Sequence, residues 1–150
     1  MSAIYVLNGP NLNMLGVREP ELYGTDTLED AREGCARVAA ELGHELRFEQ
    51  SNAEFQLIDW LHDAYRDRAG VVLNPAGLSF RSVPLLDAIK ILSMPIVEVH
   101  ITNIHARDAA HRDSLMSTVT DAVIAGAGIF GYELGIRALD RMLARQAQPV

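Results

Sequence analysis

Gly70-Val71-Val72-Leu73-Asn74-Pro75-Ala76-Gly77 is the stretch whose reading decides the fold. A short, continuously apolar run that ends in an asparagine and a turn fits a strand covered on both faces, with polar chemistry starting at its carboxyl end. Working outward, the pattern repeats. Ala3 to Leu7, Glu45 to Gln50, Pro95 to Val99 and Ala122 to Ala125 read as the other strands. Between them the apolar period changes to that of helices. Thr27 with Asp30 resembles a capping box, opening a helix in which Leu28, Ala31, Cys35, Val38, Ala39 and Leu42 form one buried face and Gly43 supplies the stop. Ser51 with Glu54 repeats the signature, and Leu57, Ile58, Leu61, Ala64 and Tyr65 are expected to face inward. Ser82 is placed to cap a third long helix, with Pro84 in its first turn and Leu85, Leu86, Ala88, Ile89 and Leu92 inside. Tyr132 to Arg145 reads as a closing amphipathic helix. Five strands alternating with helices predict a doubly wound α/β domain over residues 1–150, a parallel sheet with helices on both faces.

The chain has 150 residues, 49% of them hydrophobic, enough for one core and no second domain. A formal charge of -7 with scattered basic residues argues against a nucleic-acid backbone as partner. The first residues, Met1 to Leu7, carry neither a basic leader nor a membrane-length apolar run, so no membrane partner and a cytoplasmic protein are expected. Cys35, the only cysteine, fits a small core residue in a reducing compartment. Gln146 to Val150 reads as a loose tail.

In a doubly wound sheet, ligands bind beyond the carboxyl ends of the strands. Four polar clusters fall there: Asn8 to Asn13, Ser51-Asn52, Asn74 to Gly77, and His100 to Asn103. The first leads into Leu15-Gly16-Val17-Arg18-Glu19-Pro20-Glu21-Leu22-Tyr23-Gly24, a loop with a glycine near each end and a stiff proline between them, which suits a lid. A phenol with a pKa of about 10 is ionised in about one molecule per thousand at neutral pH, a deficit of about 4 kcal/mol for a general base. A guanidinium such as Arg18 beside Tyr23 in a closed site reduces that deficit.

Glu98 and His100, two apart on a strand, point to one side, so the carboxylate can orient and charge the imidazole as a general acid. His100, His105 and His111 with Asp108 fall within twelve residues, but the region lacks the regular ligand spacing and thiol cluster of a metal site, and no cofactor is expected. Arg107 and Arg112 can close on an anion or stay solvated. The backbone N–H groups of Ile101 and Thr102 can hold a carboxylate. His44 and His62 read as surface residues. Lys90 is the only lysine and sits in a helix, which disfavours a Schiff base; phosphate-binding glycine motifs and a serine-hydrolase elbow are absent.

Taken together, these residues resemble the type II 3-dehydroquinate dehydratases almost end to end. The resemblance is carried by Leu7 to Asn13, Arg18-Glu19-Pro20 with Tyr23-Gly24, Gln50-Ser51-Asn52, Asn74 to Gly77, Glu98-Val99-His100 with Asn103 to Arg107, and Gly126-Ala127-Gly128. It implies a flavodoxin-like fold, a small oxo-acid substrate, and a homo-oligomer built from trimers packed into a dodecamer. It further implies that Tyr23 removes a proton beside the substrate ketone, helped by Arg18. Asn11 would stabilise the enolate by way of an ordered water, and His100 would protonate the departing hydroxyl. Asn74, in its turn with Ala76, and the backbone at Ile101-Thr102 would hold substrate hydroxyl and carboxylate groups. Asp87 corresponds to an aspartate that approaches a neighbouring subunit's site.

The chain departs from the family pattern in two places. Phe80, within Ser79-Phe80-Arg81-Ser82, stands where a substrate-binding histidine is usual, and His111 stands where a second arginine follows Arg107. Arg81 or Arg112 could restore a donor. The leading expectation is therefore dehydration of 3-dehydroquinate to 3-dehydroshikimate. The alternatives are a divergent lyase or isomerase acting on another oxo-carboxylate, and a non-catalytic module that binds shikimate-type acids.

Overall fold

The computed structural model describes residues 2–148. Its five parallel strands are β1 (Ala3–Asn8), β2 (Glu45–Gln50), β3 (Gly70–Asn74), β4 (Ile96–His100) and β5 (Ala122–Ala125), in the order β2-β1-β3-β4-β5. This is the flavodoxin-like doubly wound arrangement. The helices are the one-turn α1 (Pro20–Tyr23), α2 (Leu28–Leu42), α3 (Glu54–Asp67), α4 (Val83–Ile91) and α5 (Phe130–Ala147). Among the described residues no helix is long and apolar enough to cross a membrane.

The sheet is covered on both faces because each strand alternates side chains into two separate cores. Ile4 and Val6 of β1 join Cys35 and Val38 of α2 and Ile136 and Leu139 of α5 on one side. Tyr5 and Leu7 join Leu57 and Leu61 of α3 and Leu85 and Ile89 of α4 on the other. Each fully buried leucine or isoleucine contributes about 1.5–3 kcal/mol, so losing either layer would exceed the net stability of an ordinary domain. Burial pushes the Cys35 thiol pKa up to about 12, leaving it an inert packing group.

Helix starts follow the sequence signals closely at two sites. Thr27 accepts from the Asp30 N–H while Asp30 accepts from the Thr27 N–H, completing the capping box. Ser82 caps α4 through the Leu85 N–H. The expected Ser51 cap does not form: its hydroxyl accepts from the nearer Ala53 N–H, α3 begins after Ala53, and Glu54 instead accepts from the Ser82 hydroxyl at 2.7 Å. Tyr65 is half exposed rather than inward, since Leu57, Leu61 and Ala64 already fill that face. His44 is nearly enclosed rather than solvated, its Nε2 2.7 Å from Asp140 of α5. Helix α5 extends through Gln146 and Ala147, so those residues are not a tail; Pro149 and Val150 lie outside the described residues.

Candidate active site

Strand order reverses between β1 and β3, and the loops beyond these strands and β4 enclose a cleft, the place where doubly wound sheets bind ligands. The turns after β1 and β3 are pressed together. The Gly9 N–H donates to the Asn74 carbonyl at 2.8 Å, and a Cβ at Gly9 would sit 2.4 Å from the Pro75 oxygen. Only glycine fits there.

Asn11 takes the left-handed conformation at φ 71, which asparagine tolerates better than most residues. Its N–H donates to Asn52 Oδ1 at 2.9 Å, and Gln50 Nε2 braces both Asn52 Oδ1 and the Gly9 carbonyl at 3.2 Å. The Ser51-Asn52 cluster therefore supports the Asn11 loop from β2. Ala76 is also left-handed, at φ 53, and its N–H donates to Asn74 Oδ1 at 3.0 Å.

The lid carries local structure that periodicity did not reveal. Residues Leu12–Met14 form a 3-10 turn, and Tyr23 is the last residue of α1. Gly16 and Gly24 lie at φ 91 and 79 on either side of it. The Tyr23 hydroxyl accepts a hydrogen bond from Arg107 Nη1 at 3.0 Å. Both guanidiniums stand near the ring, Arg18 at 5.1 Å and Arg107 at 5.6 Å from its centroid. The phenol oxygen is thus reached by Arg107, while Arg18 lies against the ring and pairs with Glu19 at 3.4 Å. A guanidinium only donates, so this contact strengthens when the oxygen is negative.

His100 ends β4 with Nε2 on the fully buried Glu98 carboxylate. Glu98 also accepts from Ser114 at 2.7 Å, Ser117 at 3.0 Å and Thr120 at 3.1 Å. Burial pushes its pKa up, but the hydrogen bonds from His100 and Ser114, the charge of His100 and the Ser117 bond outweigh that and hold it below the usual glutamate value. Nδ1 of His100 makes no hydrogen bond among the described residues and is the ring nitrogen left for a ligand.

Of the expected site residues, Asn11, Arg18, Tyr23, Asn74, Ala76, Phe80, His100, Ile101, Thr102, Arg107 and His111 all line this cleft. Glu98 lies behind it, bonded to His100. Arg81, Asp87 and Arg112 are exposed and outside the lining. Arg112 turns away because its guanidinium donates to the Arg107 carbonyl, with Nε at 3.0 Å, so neither Arg81 nor Arg112 supplies the missing donor in this conformation. His111 and Phe80 meet edge to face at 5.6 Å on the cleft wall. His111 Nδ1 is 2.9 Å from Asp108, a bond that holds the Asp108 carboxyl below its usual range.

Sequence reading missed the Ser114, Ser117 and Thr120 cage and the buried Tyr132 under Asn74. Hydroxyl residues in an irregular segment give no periodic signal, and the tyrosine reads as one more apolar position of α5.

A strand-end cleft in which a tyrosine hydroxyl meets an arginine and a buried carboxylate holds a histidine brings together the groups that acid–base chemistry on a small molecule requires. Comparison with known proteins gives the family. The chain matches the family described as Dehydroquinase class II over residues 2–140. It is 47% identical over 147 residues to 3-dehydroquinate dehydratase 2 of Agrobacterium fabrum, covering 98% of this chain and 100% of that one. It is 47% identical over 137 residues to the 3-dehydroquinate dehydratase of Streptomyces coelicolor, covering 91% and 87% respectively. Among solved structures, the type II dehydroquinase of Propionibacterium acnes aligns with a TM-score of 0.91 at 40% identity, covering 94% of this chain and 97% of that one. The chain belongs to the class II dehydroquinase family and is an enzyme, a lyase of the dehydroquinase type.

Proposed function

We propose that this enzyme dehydrates 3-dehydroquinate to 3-dehydroshikimate through an enolate, with Tyr23 as base and His100 as acid. The observation that carries the reading is the placement of Tyr23, its hydroxyl on Arg107, in the same cleft as the Glu98-held His100. Tyr23 as phenolate takes the proton from the carbon beside the ketone, and the C–H electrons pass into the enolate. The enolate then expels the hydroxyl two carbons from the carbonyl carbon, and a proton from His100 makes it leave as water. Net loss is one water, with no change in oxidation state. Arg107 and Arg18 stabilise the phenolate, and Glu98 stabilises the imidazolium before it gives up its proton. Asn11, set at the mouth of the β1 turn, stabilises the enolate oxygen.

The carboxylate of the substrate meets the strand-end backbone at Ile101 and Thr102, Asn74 and Ala76 contact a hydroxyl, and Phe80 with His111 forms the ring wall. Whole-length identity near one half to relatives that carry this activity in their names does not favour the divergent-substrate or binding-module alternatives. The enzyme is also proposed to work in the cytoplasm as a trimer-based homo-oligomer, with the exposed Asp87 directed to a neighbouring subunit. A dodecamer of such chains would weigh about 200 kDa by light scattering, whereas a monomer near 16.5 kDa would refute the assembly. The function is tested by following ultraviolet absorbance of the conjugated enone from 3-dehydroquinate. Sustained product formation is expected; folded protein that makes none would overturn the reading.

A further inference from the structure

Beneath the cleft floor, Tyr132 of α5 is completely enclosed, yet its hydroxyl ends in a polar chain rather than in the apolar core around its ring. Asn8 Nδ2 donates to the Glu49 carbonyl at 3.0 Å, which leaves Asn8 Oδ1 as an acceptor. The Tyr132 hydroxyl has one proton and gives it to that Oδ1 at 2.6 Å. Its oxygen can then only accept from Asn74, and Asn74 Nδ2 donates to it at 3.0 Å. Asn74 Oδ1 takes the Ala76 N–H at 3.0 Å. Reversing the Asn74 amide would set its oxygen against an oxygen whose proton is already committed, and its NH2 against the Ala76 N–H. Two hydrogen bonds would become two repulsions. Burial raises the Tyr132 pKa above that of an ordinary phenol, so the proton that starts this sequence stays in place across neutral pH.

We propose that Tyr132 is a positioning residue for substrate recognition: through its bonds to Asn8 and Asn74 it fixes the Asn74 amide so that the cleft floor offers the second Nδ2 hydrogen to an oxygen acceptor of the substrate, a hydroxyl or a carboxylate. The inference rests on the cleft being the substrate site. It adds α5, an element remote in sequence, to the parts that set affinity, and it assigns Asn74 the role of donor.

The test is steady-state kinetics of Tyr132→Phe with 3-dehydroquinate, beside Leu143→Ala. Leu143 packs α5 at the opposite end of β3, against Gly70, so its truncation destabilises the same helix without touching Asn74. Tyr132→Phe is expected to raise KM about 5- to 100-fold with kcat within a few-fold, the effect of one weakened hydrogen bond in binding. Leu143→Ala should lower the melting temperature and leave KM unchanged. An unchanged KM in Tyr132→Phe would overturn the proposal. If Tyr132→Phe fails to fold, Asn8→Ala removes the acceptor that commits the phenol proton: it should raise KM in the same way, and an unchanged KM there would equally overturn it. Should the wild-type enzyme not turn over 3-dehydroquinate, the functional reading fails separately. A neutron crystal structure of Tyr132→Phe then decides the inference: a rotated, reversed or divided Asn74 amide supports it, and an amide kept in the wild-type orientation refutes it.

Discussion

Replacing Glu98 by glutamine removes a charge while keeping the shape of the side chain. Glu98 is wholly buried and receives hydrogen bonds from His100, Ser114, Ser117 and Thr120. A carboxylate accepts all four; an amide accepts through one oxygen and sets two N–H groups against donors facing the other position. Leaving one or two of these groups unmatched in a buried site costs about 2–5 kcal/mol. For a domain of this size that corresponds to a fall of about 5–15 °C in melting temperature. His100 also loses the negative partner that stabilises its charged form, and a charge-assisted hydrogen bond of about 1.5–3 kcal/mol translates into roughly a 10- to 150-fold lower kcat. The pH dependence has a definite sign. Because the folded-state pKa of Glu98 lies below the usual glutamate value, the stability its ionisation provides is complete above the unfolded-state value and is lost as pH falls through the lowered folded-state value. Thermal melts of both proteins from neutral pH into acid, with kcat at neutral pH, provide the assay. Glu98→Gln should flatten the acid limb. A variant that melts within a degree or two of wild type, keeps the same acid limb and retains kcat within twofold would refute this account of the carboxylate.

Gly9→Ala should lower the melting temperature and raise KM together, because its Cβ would meet the Pro75 oxygen at 2.4 Å and push the Asn74 to Ala76 turn away from the cleft; an unchanged KM would contradict that coupling. Arg107→Lys keeps the charge but loses the fixed fork that reaches the Tyr23 oxygen, so kcat should fall roughly 10-fold or more, while an equal loss in Arg18→Lys with none in Arg107→Lys would reverse the assigned roles. His111→Ala removes a cleft-wall ring held by Asp108 and Phe80; it should raise KM a few-fold to about 30-fold with little change in kcat, and a loss confined to kcat would place His111 in the chemistry instead.

The five strands were legible because β1 and β3 are buried on both faces, which leaves nearly continuous apolar runs, and the helix starts because Thr27 and Ser82 mark them with local hydrogen bonds; the strand order has no local signature. Ser51 failed as a cap signal because a hydroxyl chooses among nearby N–H groups, and Ala53 lies closer than the first turn of α3. Strand-end position brought Asn11, Asn74 and His100 to one cleft, and the glycines around the lid brought Tyr23 there. The contact between Arg107 and the Tyr23 oxygen joins residues 84 apart, and the chain from Asn8 through Tyr132 spans 124. Neither leaves a local pattern. Which of two arginines faces a phenol, and which hydroxyls surround a carboxylate, are decided by tertiary packing alone.

In the proposed mechanism the Tyr23 oxygen takes the proton that starts the elimination. Turnover of 3-dehydroquinate by wild type and Tyr23→Phe, each first shown to be folded by its melting curve, tests it most directly. Tyr23→Phe leaves the ring between Arg18 and Arg107 and removes only the oxygen. Robust product formation by wild type is expected, with a kcat at least about a thousandfold lower in the variant and substrate still bound. A folded Tyr23→Phe enzyme that turns over at the wild-type rate would contradict it.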